Sequence, residues 1–262
     1  MSRQQQRSSM TPRIRWIKSD LEILSDGSEM PHANIVVHAA PLWLLPKNLP
    51  LFARNGVTRV IAFSSTSAET KSGARDERER GIAARLQLAE KECHHLCEDY
   101  DVALTVFRPT LVYGFGRDRN VSTIAKFIKK FGFFAVAGEA KGKRQPVHAK
   151  DLAASCISVF NNSKSINRTY NLSGGEVLTY RHMIGRIFEG LGKRSHIIRL
   201  PVNLYRLGLI CISALNRRSS YSPDVADRMN HDLCFSHQQA TTDFGYRPAR
   251  FLTDPEQDLN LD

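Results

Sequence analysis

The sequence lacks any apolar run long enough to cross a bilayer. Its most apolar stretch, residues 197–215, is interrupted by Pro201, Asn203 and Arg206 and leaves no uncharged segment of about 18 residues, so it reads as a packed or partly interfacial helix. A disulfide framework is lacking too. The five cysteines, Cys93, Cys97, Cys156, Cys211 and Cys234, are odd in number and irregular in spacing, as expected for reduced thiols in a cytoplasmic chain. Cys93, His94, His95 and Cys97 crowd together, but no second ligand pair follows at a zinc spacing. On a helix the two thiols share one face while the imidazoles point elsewhere, so helix packing is expected and metal is not. Internal repeats and low-complexity tracts are absent. The first 18 residues contain no acid, a composition that resembles an organelle transit peptide, and there is no apolar core of signal-peptide length to suggest secretion.

What the chain does have is a globular composition over 262 residues, 42% hydrophobic and 24% charged, enough for one large α/β core with a smaller appendage. The formal charge of +11 is unusual and favours anionic partners: nucleotides, phosphorylated sugars, nucleic acid or acidic lipid. No clustered aromatics or nucleic-acid-reading motif accompany that charge, so specific nucleic-acid binding is not expected.

Val60 to Phe63 are β-prone, follow Gly56, and end in Ser64, Ser65, Thr66 and Ser67. Buried parallel strands place their chemistry at the carboxyl end, so these hydroxyls either line a cleft or simply begin a turn. Asn34 to Ala40 reads as another buried strand, Ile14 to Ile17 as a short one, and Val102 to Phe107 as a third that runs into Arg108-Pro109-Thr110-Leu111-Val112-Tyr113-Gly114. Between them lie a helix reaching Asn55 and a charged helix from Ala74 to Asp99, with Ile82, Leu86, Ala89, Cys93, Leu96 and Cys97 on one apolar stripe. Strand alternating with helix predicts right-handed connections and a doubly wound parallel sheet. Further on, Val121 to Phe131 is an amphipathic helix bearing Lys126, Lys129 and Lys130. Gly138 to Arg144 is a basic loop that could hold a phosphate or be a solvated hairpin tip. Asp151 is placed to cap a helix from Leu152 to Phe160, Thr169 to Leu172 is a strand, and Thr179 is placed to cap a helix ending at Gly192.

Taken in order, Val36-Val37-His38-Ala39-Ala40, Ser64-Ser65-Thr66-Ser67, Arg108 to Gly114, Val147-His148 with Asp151-Leu152, and Tyr170-Asn171-Leu172 resemble the extended short-chain dehydrogenases/reductases, in their NAD-dependent epimerase/dehydratase branch. The resemblance runs from about residue 13 to residue 250. It implies a Rossmann-like α/β fold that binds NAD or NADP, over residues 1–115, incomplete at its amino end. A small carboxyl-terminal α/β part, residues 116–262, would bind substrate, with segments returning to the core sheet. By the same resemblance Asp20 and Leu21 would contact adenine, and His38, Ala39 and Ala40 would pass beneath the nicotinamide ribose. Pro109 and Thr110 would abut the nicotinamide, and Ser65 or Thr66 would polarise a substrate oxygen. Arg117, Asn120, Arg144 and His148 would bind substrate. Ser2 and Arg3 resemble the pair that holds the 2′-phosphate of NADP, which favours NADP over NAD and makes residues 1–12 part of a cofactor loop instead of a transit peptide. The implied partners are an anionic small molecule such as a nucleotide sugar and a second copy of the chain in a homodimer.

Two features of the family are missing. No Gly-x-x-Gly-x-x-Gly turn, which lets a pyrophosphate approach the backbone at a helix amino end, occurs in these 262 residues. Nor does any of the seven tyrosines have a lysine four residues later. Alignment of Leu88-Ala89-Glu90 with the family helix puts Ile82 where the proton-donating tyrosine belongs and Leu86 where the lysine that lowers its pKa belongs. Two functions are therefore expected: an atypical NAD(P)-dependent epimerase, dehydratase or reductase of a nucleotide sugar or similar substrate, or a non-catalytic Rossmann-like protein that binds a nucleotide or a partner. For the first, Glu69, Lys71 and Arg85 are candidates for a replacement acid.

Overall fold

The structure is a computed structural model that describes residues 14–24, 30–215 and 224–259, with side chains described outside 212–215. Its elements in chain order begin with β1 (Ile35–His38), α1 (Leu45–Arg54), β2 (Arg59–Phe63), the single turn α2 (Ser67–Thr70), α3 (Glu77–Asp99), β3 (Ala103–Pro109) and β4 (Val112–Tyr113). There follow α4 (Val121–Phe131), β5 (Phe134–Ala137), β6 (Lys143–Arg144), β7 (Val147–His148), α5 (Ala149–Val159), β8 (Arg168–Leu172) and β9 (Leu178–Thr179). The last are α6 (Tyr180–Gly190), β10 (Ile197–Leu200), α7 (Val202–Leu215), α8 (Asp224–Arg228), α9 (Gln238–Phe244) and α10 (Pro255–Asp258).

The central sheet is parallel throughout, in the order β1-β2-β3-β8. Val60, Ile61 and Ala62 are fully buried because both faces of β2 are covered. On one face α1 and α3 bring Leu45, Leu49, Phe52, Leu86, Ala89 and Cys93 against Val60 and Leu104. On the other, α5 and α9 bring Leu152, Cys156, Val159 and Ala240 against Ile61 and Phe107. This is the doubly wound α/β arrangement expected. A third apolar cluster gathers α4, β5, α6 and α8 around Ile128, Val136, Ile187 and Phe188, with β10 laid parallel to β5.

Local chemistry explains the boundaries. Asp76 caps α3 by accepting from the Arg78 amide, and Thr179 caps α6 by accepting from the His182 amide. Gly132, at φ +76°, ends α4 in the left-handed conformation that glycine adopts without penalty. Pro201 separates β10 from α7, so the apolar stretch 197–215 is a strand and a helix. No described helix is long and apolar enough to span a membrane.

Four local expectations fail. Ile14 to Ile17 is irregular and exposed, since alternation makes a strand only beside a hydrogen-bonding partner, and β1 pairs only with β2 among the described residues. In α3 the buried stripe contains Ala83 in place of Ile82, because Ala83 shares the face of Leu86 and Glu90 at three- and seven-residue spacing. His148, not Asp151, caps α5: its Nδ1 accepts from the Lys150 amide, while Asp151 accepts from the Ala249 amide. The 138–144 segment is no free hairpin tip. Lys143 and Arg144 pair with Thr179 and Leu178, and a Cβ on Gly142 would lie 2.4 Å from the His231 carbonyl oxygen.

Candidate functional site

The hydroxyl cluster sits at the carboxyl ends of β2 and β3. Backbone pairing continues past the strand, with the Ser64 amide donating to Phe107 O at 2.7 Å and the Thr66 amide to Pro109 O at 3.2 Å. Each side chain there has a partner. Ser64 donates to the buried Glu90 carboxylate, Ser65 Oγ accepts from the Ser67 amide at 3.1 Å, and Thr66 Oγ1 donates to Pro109 O at 3.2 Å. Arg108 closes the arrangement: Nε donates to both Glu90 oxygens at 2.9 and 3.1 Å, and Nη1 donates to Glu69 at 2.6 Å. The Glu90 hydrogen bond is the main cause of the raised Arg108 pKa. Glu90 and Arg108 are the residues at this edge whose roles the sequence reading did not foresee. Their only signal was position, Glu90 four residues after Leu86 and Arg108 beside Pro109.

The places where a proton donor would stand are apolar. Ile82 is 38% exposed and Leu86 is buried in the α1–α3 cluster. Among the proposed replacements, Glu69 pairs with Arg108, Lys71 lies 3.6 Å from Glu79, and Arg85 stacks on Trp43. Tyr113, the nearest imitation of a Tyr/Lys pair, is no substitute. Its phenol is buried, accepts from the Leu252 amide at 3.0 Å, and is pushed up to about 12, chiefly by burial, whereas catalysis needs a lowered value. Tyr170, Tyr180 and Tyr246 are likewise pushed up by burial.

The expected cofactor contacts fall in four places. Ser2 and Arg3 lie outside the described residues. Asp20 is exposed and accepts from the Glu22 amide, while the Leu21 carbonyl accepts from Asn48, which ties this turn to α1. His38 is buried with Nε2 3.2 Å from Pro41 O, its pKa lowered mainly by burial, and Ala39 and Ala40 follow with little side chain to obstruct a ligand. Pro109 and Thr110 lie where β3 ends, Thr110 Oγ1 donating to Gln145 O. The turn from β1 to α1 contains no glycine. The described residues therefore offer no glycine-rich cradle for a pyrophosphate and do not fit the whole dinucleotide.

Of the expected substrate contacts, Arg117 and Asn120 are exposed at the start of α4. Arg144 and His148 face inward. Arg144 donates to the carbonyls of Lys143, His231 and Arg228, and burial lowers its pKa. Because His148 Nδ1 accepts from an amide, its ring proton lies on Nε2 and is donated to Asp258 at 2.8 Å, a partner 110 residues away that no spacing rule reveals. Arg228 reaches Glu79, and Asp224 accepts from the Arg75 and Asp76 amides, so the carboxyl-terminal segment is fastened to the start of α3. All five cysteines are free, and no cluster of three potential metal ligands occurs among the described residues.

Residues 47–173 match the model of the NAD dependent epimerase/dehydratase family. The mitochondrial NADH dehydrogenase [ubiquinone] 1 alpha subcomplex subunit 9 of Arabidopsis thaliana is 27% identical over 160 residues, 60% of this chain and 37% of that protein. The UDP-glucose 4-epimerase of Vibrio cholerae is 23% identical over 164 residues, 63% of this chain and 48% of the epimerase. The chain thus spans less than half the length of either. The UDP-glucuronic acid 4-epimerase of Bacillus cereus, solved with UDP-glucuronic acid and NAD, superposes with a TM-score of 0.73 at 16% identity, over 96% of this chain and 82% of that one. Likeness at that identity establishes a shared fold.

Proposed function

We propose that this chain, whose residues 47–173 match the NAD dependent epimerase/dehydratase family, retains that family's scaffold as a binding protein for a nucleotide-type anion and does not transfer hydride by the family's tyrosine route. The observation that carries this reading is the pair Ile82 and Leu86 at the donor positions, together with buried tyrosines whose pKa values move the wrong way. Residues 1–115 and 116–262 are the two parts that would bound the ligand, with Arg117 and Asn120 at its exposed rim. Ala39, Ala40, Pro109 and Thr110 would form its inner wall. A role within an assembly, with a second copy or another protein, is supported by the name of the Arabidopsis relative, a subunit of a larger complex. The free cysteines suit a reducing compartment such as the cytoplasm.

The test is turnover of UDP-glucose and UDP-glucuronic acid with NAD or NADP, read as epimer formation and nicotinamide absorbance. No turnover above the protein-free blank is expected, alongside a rise in melting temperature with the UDP-sugars. Turnover that vanishes in a Ser65→Ala, Thr66→Ala double variant would overturn the non-catalytic reading, and no thermal shift with any nucleotide would sink the binding one. For NADP, favoured over NAD through Ser2 and Arg3, calorimetry should find no micromolar binding.

The second reading is a nucleotide-sugar epimerase that uses a different acid. It is favoured by the hydroxyls of Ser65 and Thr66 at the strand end and by the likeness to the two UDP-sugar epimerases.

A further inference from the structure

The chain carries its charge unevenly. Residues 119–138 and 190–215 contain no acid and hold Arg119, Lys126, Lys129, Lys130, Lys193, Arg194, Arg199 and Arg206 between them. β10 lies parallel to β5, which brings the two acid-free segments side by side. Of the carboxylates that flank these segments, Asp118 accepts from the Asn120 and Ser122 amides, Glu139 pairs with Arg199 and Glu189 with Arg186, while Arg206 pairs with Asp227 of α8.

Within this basic region stands an aromatic ridge. Phe127 and Phe131 have ring centroids 4.6 Å apart, Phe133 lies 5.6 Å from Phe127, and His196 lies 6.3 Å from Phe133. A ridge of this kind should be buried if it served only the fold, yet Phe131 is 51% exposed and Phe127 is 36% exposed. Lysines surround it: Lys130 lies over the Phe131 ring, and Lys193 donates to the carbonyl of Lys129 at 3.3 Å. Next to His196 along the chain, Ser195 and Ile197 border a cleft of about 390 Å³ that is also lined by Thr179, Arg181 and His182 and by no carboxylate. α7 adds Leu204, Leu207 and Ile210, all exposed at helical spacing.

We propose that the face built from the end of α4, β5, β10 and the 193–196 turn docks on an anionic lipid surface. The phenylalanines would enter the interfacial layer, while the lysines and the Arg181–His182 cleft would meet lipid phosphates. Apolar rings ringed by cations, with no transmembrane span among the described helices, are the combination that places a protein on a membrane surface without crossing it. A protein partner would meet the rings equally well. The lysines, however, select a dense, planar negative charge.

The test is co-sedimentation of the full chain with phosphatidylcholine vesicles, with and without phosphatidylglycerol, at about 0.15 M salt. Binding only to the phosphatidylglycerol vesicles is expected, weakening about fivefold for each lysine removed. Lys126→Glu, Lys129→Glu, Lys130→Glu in combination should abolish it and Phe131→Ser should weaken it. The exposed Lys91→Glu on α3 should leave it unchanged, and circular dichroism should show all variants folded. Absence of binding, equal binding to uncharged vesicles, or unchanged binding by the triple variant would each overturn the proposal. So would self-association in light scattering that Phe131→Ser removes while lipid binding is absent.

Discussion

The ends of β2 and β3 and the outer edge formed by α4, β5 and β10 are built on opposite plans. At the first, Ser64, Ser65, Thr66, Glu90 and Arg108 all hydrogen-bond to one another or to the backbone. At the second, phenylalanines and lysines are left to solvent. The UDP-sugar epimerases that this chain resembles are named for chemistry on sugars, but here the strand ends have the character of a packed structure. The outer edge is instead where this chain exposes apolar rings and cations side by side.

The sharpest way to break that contrast is Glu90→Ala. The substitution strips Arg108 of its buried partner and leaves Ser64 without an acceptor, and removing one member of a buried pair costs about 3 kcal/mol. Urea unfolding should show that loss. A change under about 1 kcal/mol would mean that the strand ends are not closed by this network.

Next in size is a pH effect centred on His38. Burial lowers its pKa below the unfolded value of 6.5, so the unfolded chain binds a proton first and stability falls as pH drops through 6.5 toward the folded value. His237, lowered by burial as well, adds to the same window. His38→Gln should reduce the loss of stability between neutral pH and about pH 5, as followed by thermal melts. An unchanged pH slope would show that His38 takes up its proton as readily folded as unfolded.

How much of this was legible beforehand depends on the range of the forces involved. Strands β1, β2, β3 and β8 and the helices between them announced themselves because local apolar patterning and turn residues dictate them. Ser65 and Thr66 were found at a strand end for the same reason. What sequence reading could not supply was pairing across the chain: Asp258 with His148, Arg228 with Glu79, and the turning inward of Arg144 toward three carbonyls. Those contacts depend on how distant segments pack. The failed strand at Ile14 to Ile17 makes the complementary point, that alternation without a neighbour fixes nothing.

A third variant, Thr66→Val, separates the hydroxyl's structural value from its chemical one. Pro109 O already accepts from the Thr66 amide, so loss of the hydroxyl leaves no carbonyl unpaired and should cost at most about 1 kcal/mol. If turnover were found in the parent chain and lost in Thr66→Val without a comparable fall in stability, the closed description of this edge would have to be replaced by a catalytic one.

The smallest expected effect tests the open edge. Phe131→Ser deletes a half-exposed ring that touches Phe127 and Phe133 but leaves no buried polar group behind. Loss of a partly exposed aromatic contact should cost under about 1 kcal/mol. Urea unfolding of this variant should therefore nearly superimpose on that of the parent. Such a result would leave Phe131 to the docking surface proposed above and not to the fold. A loss above about 2 kcal/mol would instead make Phe131 part of the α4–β5 packing and reduce the difference between the two regions to one of degree.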